Sequence, residues 1–197
     1  MLTLSRHSLS GLCAAALLLL LVGACARQPD ESPAPSYTPT ATVKDLMQGV
    51  IDPSADVVWN SVAIISDVEG IEERKPRTDD EWAEVRLGAI RVVEGANLLL
   101  IPGRKVTRPG EKSEAPGIEL EGPEMEVLIN KDRVAWNQRV QALHDAGLLA
   151  LKAIDAKDAP TLFEVGEQIE HACEGCHSHY WYPNQQLPPG YYPPGSQ

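Results

Sequence analysis

The sequence predicts an all-α fold, an antiparallel four-helix bundle. Apolar residues recur at helical spacing in four stretches, two of those stretches open on capping signals, and no segment alternates convincingly at a period of two. Sheet is therefore not expected.

The chain does not begin with the bundle. Arg6 and His7 precede an apolar run from Leu12 to Val22, followed by small residues, which is the pattern of a secretory signal and is short for a transmembrane helix. Val22-Gly23-Ala24-Cys25 resembles a bacterial lipobox, so residues 1–24 are expected to be a lipoprotein signal peptide and Cys25 the lipidated first residue of the mature chain. A plain signal peptide with a chance cysteine is the alternative. Residues 25–41 are rich in proline and small polar side chains with little to bury, and read as a tether.

The folded part is expected over residues 42–182. Val43, Leu46, Met47 and Val50 recur at helical spacing, and after Pro53 the pattern resumes with Val58, Trp59, Val62 and Ile65. Residues 42–66 are therefore expected to form one helix, broken at the proline. Thr78-Asp79-Asp80-Glu81 is a capping box, with acids facing the helix dipole, and opens a second helix whose stripe is Trp82, Val85, Ala89, Val92, Val93, Ala96 and Leu99. That helix stops at Ile101-Pro102-Gly103. Residues 102–130, dense in glycine, proline and charge, are too long for an ordinary bundle connection and are expected as an irregular insertion. A third helix is expected from about Asn130, carrying Trp136, Val140, Leu143, Gly147, Ala150 and Ile154. A fourth follows Asp158-Ala159-Pro160, a cap with proline in the first turn, and carries Leu162, Val165, Ile169, Cys173 and Cys176. Residues 183–197 repeat Pro-Pro-Gly and Tyr and are expected as a disordered tail.

In an up-down-up-down arrangement the start of the first helix, the end of the second, the start of the third and the end of the fourth share one end. The insertion, the tether and the tail emerge there. So do the residues that carry chemistry: His171-Ala172-Cys173-Glu174-Gly175-Cys176-His177-Ser178-His179-Tyr180 holds three of the five histidines and two of the four cysteines. Cys-x-x-Cys-His is the attachment signature of a c-type haem. Cys173 and Cys176 lie on one helical face, placed to meet the two vinyl groups of one macrocycle, with His177 beneath the iron.

The cysteine usage agrees with this reading. Cys13 leaves with the signal, Cys25 carries lipid, and Cys173 and Cys176 bind haem, so no disulfide remains to be built in an oxidising compartment. Zinc is the rival, because His171, Cys173, Cys176, His177 and His179 offer suitable donors in a short span. Against zinc, a single helix cannot readily wrap four ligands around one ion. A redox dithiol lacks the strand-helix-strand setting such motifs occupy.

The formal net charge is −11, and removing residues 1–24 takes away only Arg6. Such acidity argues against nucleic acid and against a basic membrane-binding patch, leaving the acyl chain as the membrane attachment. No Ser-His-Asp or paired-carboxylate arrangement suggests hydrolysis or group transfer, so no enzyme activity is expected.

The pattern over about residues 42–182 resembles the class II c-type cytochromes, the family of cytochrome c′ and its Met-ligated low-spin relatives, with Cys173, Cys176 and His177 near the end of the last helix and an aromatic, Tyr180, three residues on. The sequence departs at Trp181, where a basic residue is common, at Pro53, and in the length of 102–130. The resemblance implies a four-helix bundle holding one covalent haem c, with His177 as proximal iron ligand. It also implies that a sixth ligand, where one exists, is a methionine early in the first helix, here Met47; the alternative is that Met47 merely fills the core. With Met47 bound, the protein is a periplasmic electron-transfer cytochrome with redox-protein partners, tethered to the membrane through Cys25. With the position open, it binds nitric oxide or carbon monoxide. A haemless scaffold lipoprotein is a third reading, and a homodimer is compatible with all three. His144 falls away from the haem end and, like His171 and His179, is given no ligand role. Trp59, Trp82 and Trp136 are expected in the core, and Tyr180, Trp181 and Tyr182 at the haem edge or in a docking patch.

Overall fold

The structure, a computed structural model, describes residues 37–68 and 70–186. The expected signal peptide, Cys25, the expected tether up to residue 36 and the expected tail from residue 187 lie outside the described residues, and residues 37–41 carry no helix or strand.

The first helical segment opens on a reciprocal cap. Thr42 Oγ1 accepts from the Asp45 N–H at 3.0 Å, and the Asp45 carboxylate accepts from the Thr42 N–H at 3.0 Å. Helix α1 (Val43–Leu46) runs through a π-helical turn, Met47–Ile51, into α2 (Asp52–Ser61). The expected break at Pro53 is thus absorbed rather than realised. Proline lacks the N–H for a bond to the preceding turn and its ring crowds that turn's carbonyl. Widening by one residue relieves the crowding, and the Asp52 N–H donates to the Met47 carbonyl five residues back. The buried positions record the extra residue: Leu46 is followed after five by Ile51, then by Ala55, Val58 and Val62.

α2 ends at Ser61, five residues short of the expected 66, and Val62 is already extended. The chain then forms an antiparallel hairpin, β1 (Ala63–Asp67) with β2 (Gly70–Arg74), in which Ile65 pairs with Glu72 and Ser66 with Ile71. This corrects two expectations, that strands are absent and that Ile65 lies on a helix. Ile64 and Ile71 are largely exposed and every residue of β2 faces solvent, so no apolar face imposes an alternating pattern on the sequence.

Helix α3 (Asp79–Leu99) begins at the Thr78 capping box, and its whole expected stripe is buried. The insertion holds a further correction, helix α4 (Gly122–Lys131), with Pro123 in its first turn and the Glu124 carboxylate accepting from the Glu121 N–H at 2.8 Å. Asn130 belongs to α4. The third expected helix is α5 (Arg133–Asp155), which starts where Asp132 accepts from the Ala135 N–H at 2.9 Å. Asp158 caps α6 (Ala159–Tyr180) through the Thr161 N–H at 3.1 Å.

The molecule is therefore mostly helical with one small two-stranded sheet. Its core runs between α2, α3, α5 and α6, where Val58, Val92, Val140, Leu162 and Ile169 are each less than 2% exposed. Two glycines allow the helices to approach. A Cβ on Gly95 of α3 would lie 2.6 Å from Ile51 Cγ1, and one on Gly147 of α5 would lie 2.7 Å from Val93 Cγ2. α3 packs broadly on α2 and α5, and α5 on α6, whereas α2 and α6 touch over a short stretch only.

Residues 102–121 are tied down. The carbonyls of Lys105 and Val106 accept from the Val43 and Lys44 N–H groups, satisfying donors that the first turn of α1 leaves free. Arg104 donates to the carbonyls of Ala41 and Leu98, Arg133 to that of Leu100, and the Leu120 N–H to that of Trp181. Contacts in this segment thus join the start of α1, the ends of α3 and α6 and the start of α5. No helix among the described residues is long and apolar enough to cross a membrane.

Candidate metal centre

Cys173, Cys176 and His177 occupy the last two turns of α6, and all three are half-buried. The helix ends immediately beyond them, where the His177 carbonyl accepts from the N–H groups of both Trp181 and Tyr182, at 2.8 and 3.0 Å. Arg139 of α5 donates to the Gly175 carbonyl at 2.5 Å, fixing the motif against α5 from the side. Below it, Tyr180 is buried edge-to-face on Trp136, with ring centroids 5.2 Å apart, and the Trp136 indole N–H donates to the Leu99 carbonyl. The Tyr180 hydroxyl is buried without a hydrogen bond of ordinary geometry, and burial pushes its pKa up.

Both cysteines are free thiols. Burial pushes Cys173 up to about 12, with the charges of Glu170 and Cys176 adding to it, and pushes Cys176 up to about 11, with Arg139 pulling the other way. These are neutral thiols, the opposite of the lowered pKa that marks a redox dithiol. Burial lowers the pKa of His177, against the opposing charges of Glu174 and Asp52, so the imidazole is neutral and keeps a lone pair for a metal. Among the described residues no three His, Cys, Asp or Glu side chains converge as a metal-holding group. Two thiols three residues apart and one neutral imidazole on the next residue fit the two covalent anchors and the one nitrogen ligand that a c-type haem would need.

The residues expected around the motif divide. Trp181 meets the His177 ring edge-to-face with centroids 5.1 Å apart and is partly exposed, and Tyr182 lies 6.0 Å from the same ring with its hydroxyl donating to Glu174 at 2.6 Å. Tyr180 belongs to the interior instead. His179 and His171 are exposed, and His144 is engaged with Gln141 and Asp145 on α5. Trp82 and Trp136 are buried as expected. Trp59 is half-buried and donates its indole N–H to the Gly166 carbonyl at 3.1 Å.

That bond sets the height of α2 against α6. With equal rise along two oppositely directed helices, Asp52, the first residue of α2, comes level with Cys173. The charge of Asp52 acting on both Cys173 and His177 agrees with this register. Met47 is half-buried at the start of the π-helical turn and packs against the core. Met125, set aside in the sequence because it falls within the 102–130 insertion, also packs half-buried against the core, from α4, a helix that meets α5 and α6. Its one signal was Pro123-Glu124, the start of an unrecognised helix.

A cavity of about 550 Å³ separates α2 from α6. Val58, Val62 and Leu162 floor it, Trp59 and Phe163 wall it, and the exposed Glu167 and Glu170 stand at its rim. Gly166 and Glu170, which line it, and Cys173 and His177 follow one another at four-, three- and four-residue steps. The cavity and the Cys173–His177 motif thus share one face of α6. No protein-family model, curated protein or solved structure matches this chain.

Proposed function

We propose that the protein is a monohaem c-type cytochrome acting in electron transfer. In this reading α1–α2, α3, α5 and α6 form an antiparallel four-helix bundle of the cytochrome c′ type, anchored by lipid at Cys25 on the periplasmic side of a membrane. The observation that carries it is the donor set on α6: two neutral, half-buried thiols three residues apart and a neutral imidazole on the next residue.

In this reading Cys173 and Cys176 hold the haem through thioethers and His177 supplies the proximal nitrogen. Met47, at the start of the π-helical turn that leads into α2, would offer the iron a thioether. When bound, haem supplies a one-electron couple at the iron, and a Met/His axial pair favours the reduced form. The protein residues hold the couple in place. Arg139 and the bonds closing the end of α6 fix the height of His177, while Trp181 and Tyr182 limit the reach of water to its ring.

Absorption spectroscopy tests the assignment of ligands. A protein matured with a haem-attachment system is expected to show a low-spin ferrous spectrum that carbon monoxide does not change. A ferrous form that binds carbon monoxide readily would favour an open, gas-binding iron.

A further inference from the structure

The cavity between α2 and α6 opens on the same α6 face as Cys173 and His177, and the charge around it is one-sided. The two helices that form it contain six acids, Asp52, Asp56, Glu164, Glu167, Glu170 and Glu174, and no lysine or arginine. The chain's 17 lysines and arginines all lie outside these two helices, and Arg74 of β2, paired with Ala63, is the one set beside the cavity residue Val62 among the described strand pairs. Among the described residues, the cation acting on the motif is Arg139, on the Cys176 side and bonded to the Gly175 carbonyl. Phe163 and Trp181 lie on the same side of α6, 18 residues apart or five full helical turns, and are 45% and 40% exposed. An apolar residue therefore stands at each end of an acidic strip that passes the haem motif.

Resting on the haem reading above, we infer that this α2–α6 face is the docking surface for a basic one-electron carrier protein. The acidic rim attracts the partner and orients it, and the exposed aromatics give it contact area at low salt-independent cost. The exchange is simple in balance: one electron leaves ferrous iron for the oxidised partner, giving ferric iron and the reduced partner, with no bond formed or broken and no proton moved.

The experiment oxidises the reduced holoprotein by stopped flow with tris(1,10-phenanthroline)cobalt(III), a cation, and separately with ferricyanide, an anion. The double variant Glu167→Gln/Glu170→Gln is expected to slow the cationic oxidant several-fold at low ionic strength and to speed ferricyanide, with both effects fading at high salt. An oligolysine peptide is expected to slow oxidation of wild type by the cation and to have less effect on the variant. The control Glu84→Gln/Glu94→Gln removes the same charge from exposed positions on α3 and is expected to leave the rates near wild type. Equal effects from the two variants, or none from either, would overturn the docking face while haem measured in the same preparation still stands. Absence of covalent haem from that preparation would overturn the haem reading and the docking face together.

Discussion

Met47 carries the spectroscopic character of the proposed centre. Met47→Leu keeps the bulk and removes the sulfur, so it is expected to convert low-spin to high-spin iron and to admit carbon monoxide; an unchanged spectrum would remove Met47 as the ligand. Met125→Leu is the companion measurement, since a second thioether sits at the same end, and the account predicts that its spectrum stays low-spin. The residues of the motif were legible because chemistry places them in an unbroken string, Cys173 to His177. Their supports were not. Arg139 and Asp52 come from two other helices, and only packing brings them to the thiols and the imidazole.

Among the elements, α3 approaches the π-helical turn closely at Gly95. Gly95→Ala would drive a methyl into Ile51 beside the π-helical turn, and is expected to cost about 1–3 kcal/mol, read as a lower denaturant midpoint. The Thr78 cap offers a comparison at a solvent-facing site: Thr78→Ala removes the acceptor for the Glu81 N–H and is expected to cost about 1 kcal/mol. α3, α5 and α6 could be read from the sequence because each buries one clean stripe, and α3 and α6 also open on recognisable caps. The hairpin could not, because Ala63–Asp67 and Gly70–Arg74 bury no continuous face. α4 escaped notice because Glu121 is an unusual residue to precede a helix. The π-helical turn was hidden because the effect of Pro53 appears one turn earlier, at Met47–Ile51, as a five-residue step in the buried pattern.

At the scale of the whole molecule, stability is expected to fall in acid. The Thr42 backbone N–H and hydroxyl hold the Asp45 carboxyl below its usual range, the N–H groups of Arg77 and Thr78 do the same for Glu81, and the Thr161 hydroxyl and N–H for Asp158. As the pH drops below about 4, the unfolded chain takes up protons at these groups before the folded one does. Their contribution is therefore complete at neutral pH, declines through that range and is lost below the depressed folded values. Urea midpoints at neutral pH and near pH 3 check this, and equal midpoints would contradict it. The net acidity was plain in the composition, but its concentration on the face between α2 and α6 depended on which helices become neighbours.

The central claim is that Cys173 and Cys176 carry one covalent haem. Protein produced with a haem-attachment system, denatured and measured by mass spectrometry with a pyridine haemochrome assay, is expected to show one haem per chain, lost in Cys173→Ala/Cys176→Ala. A wild-type chain that matures under those conditions at its unmodified mass would contradict the account.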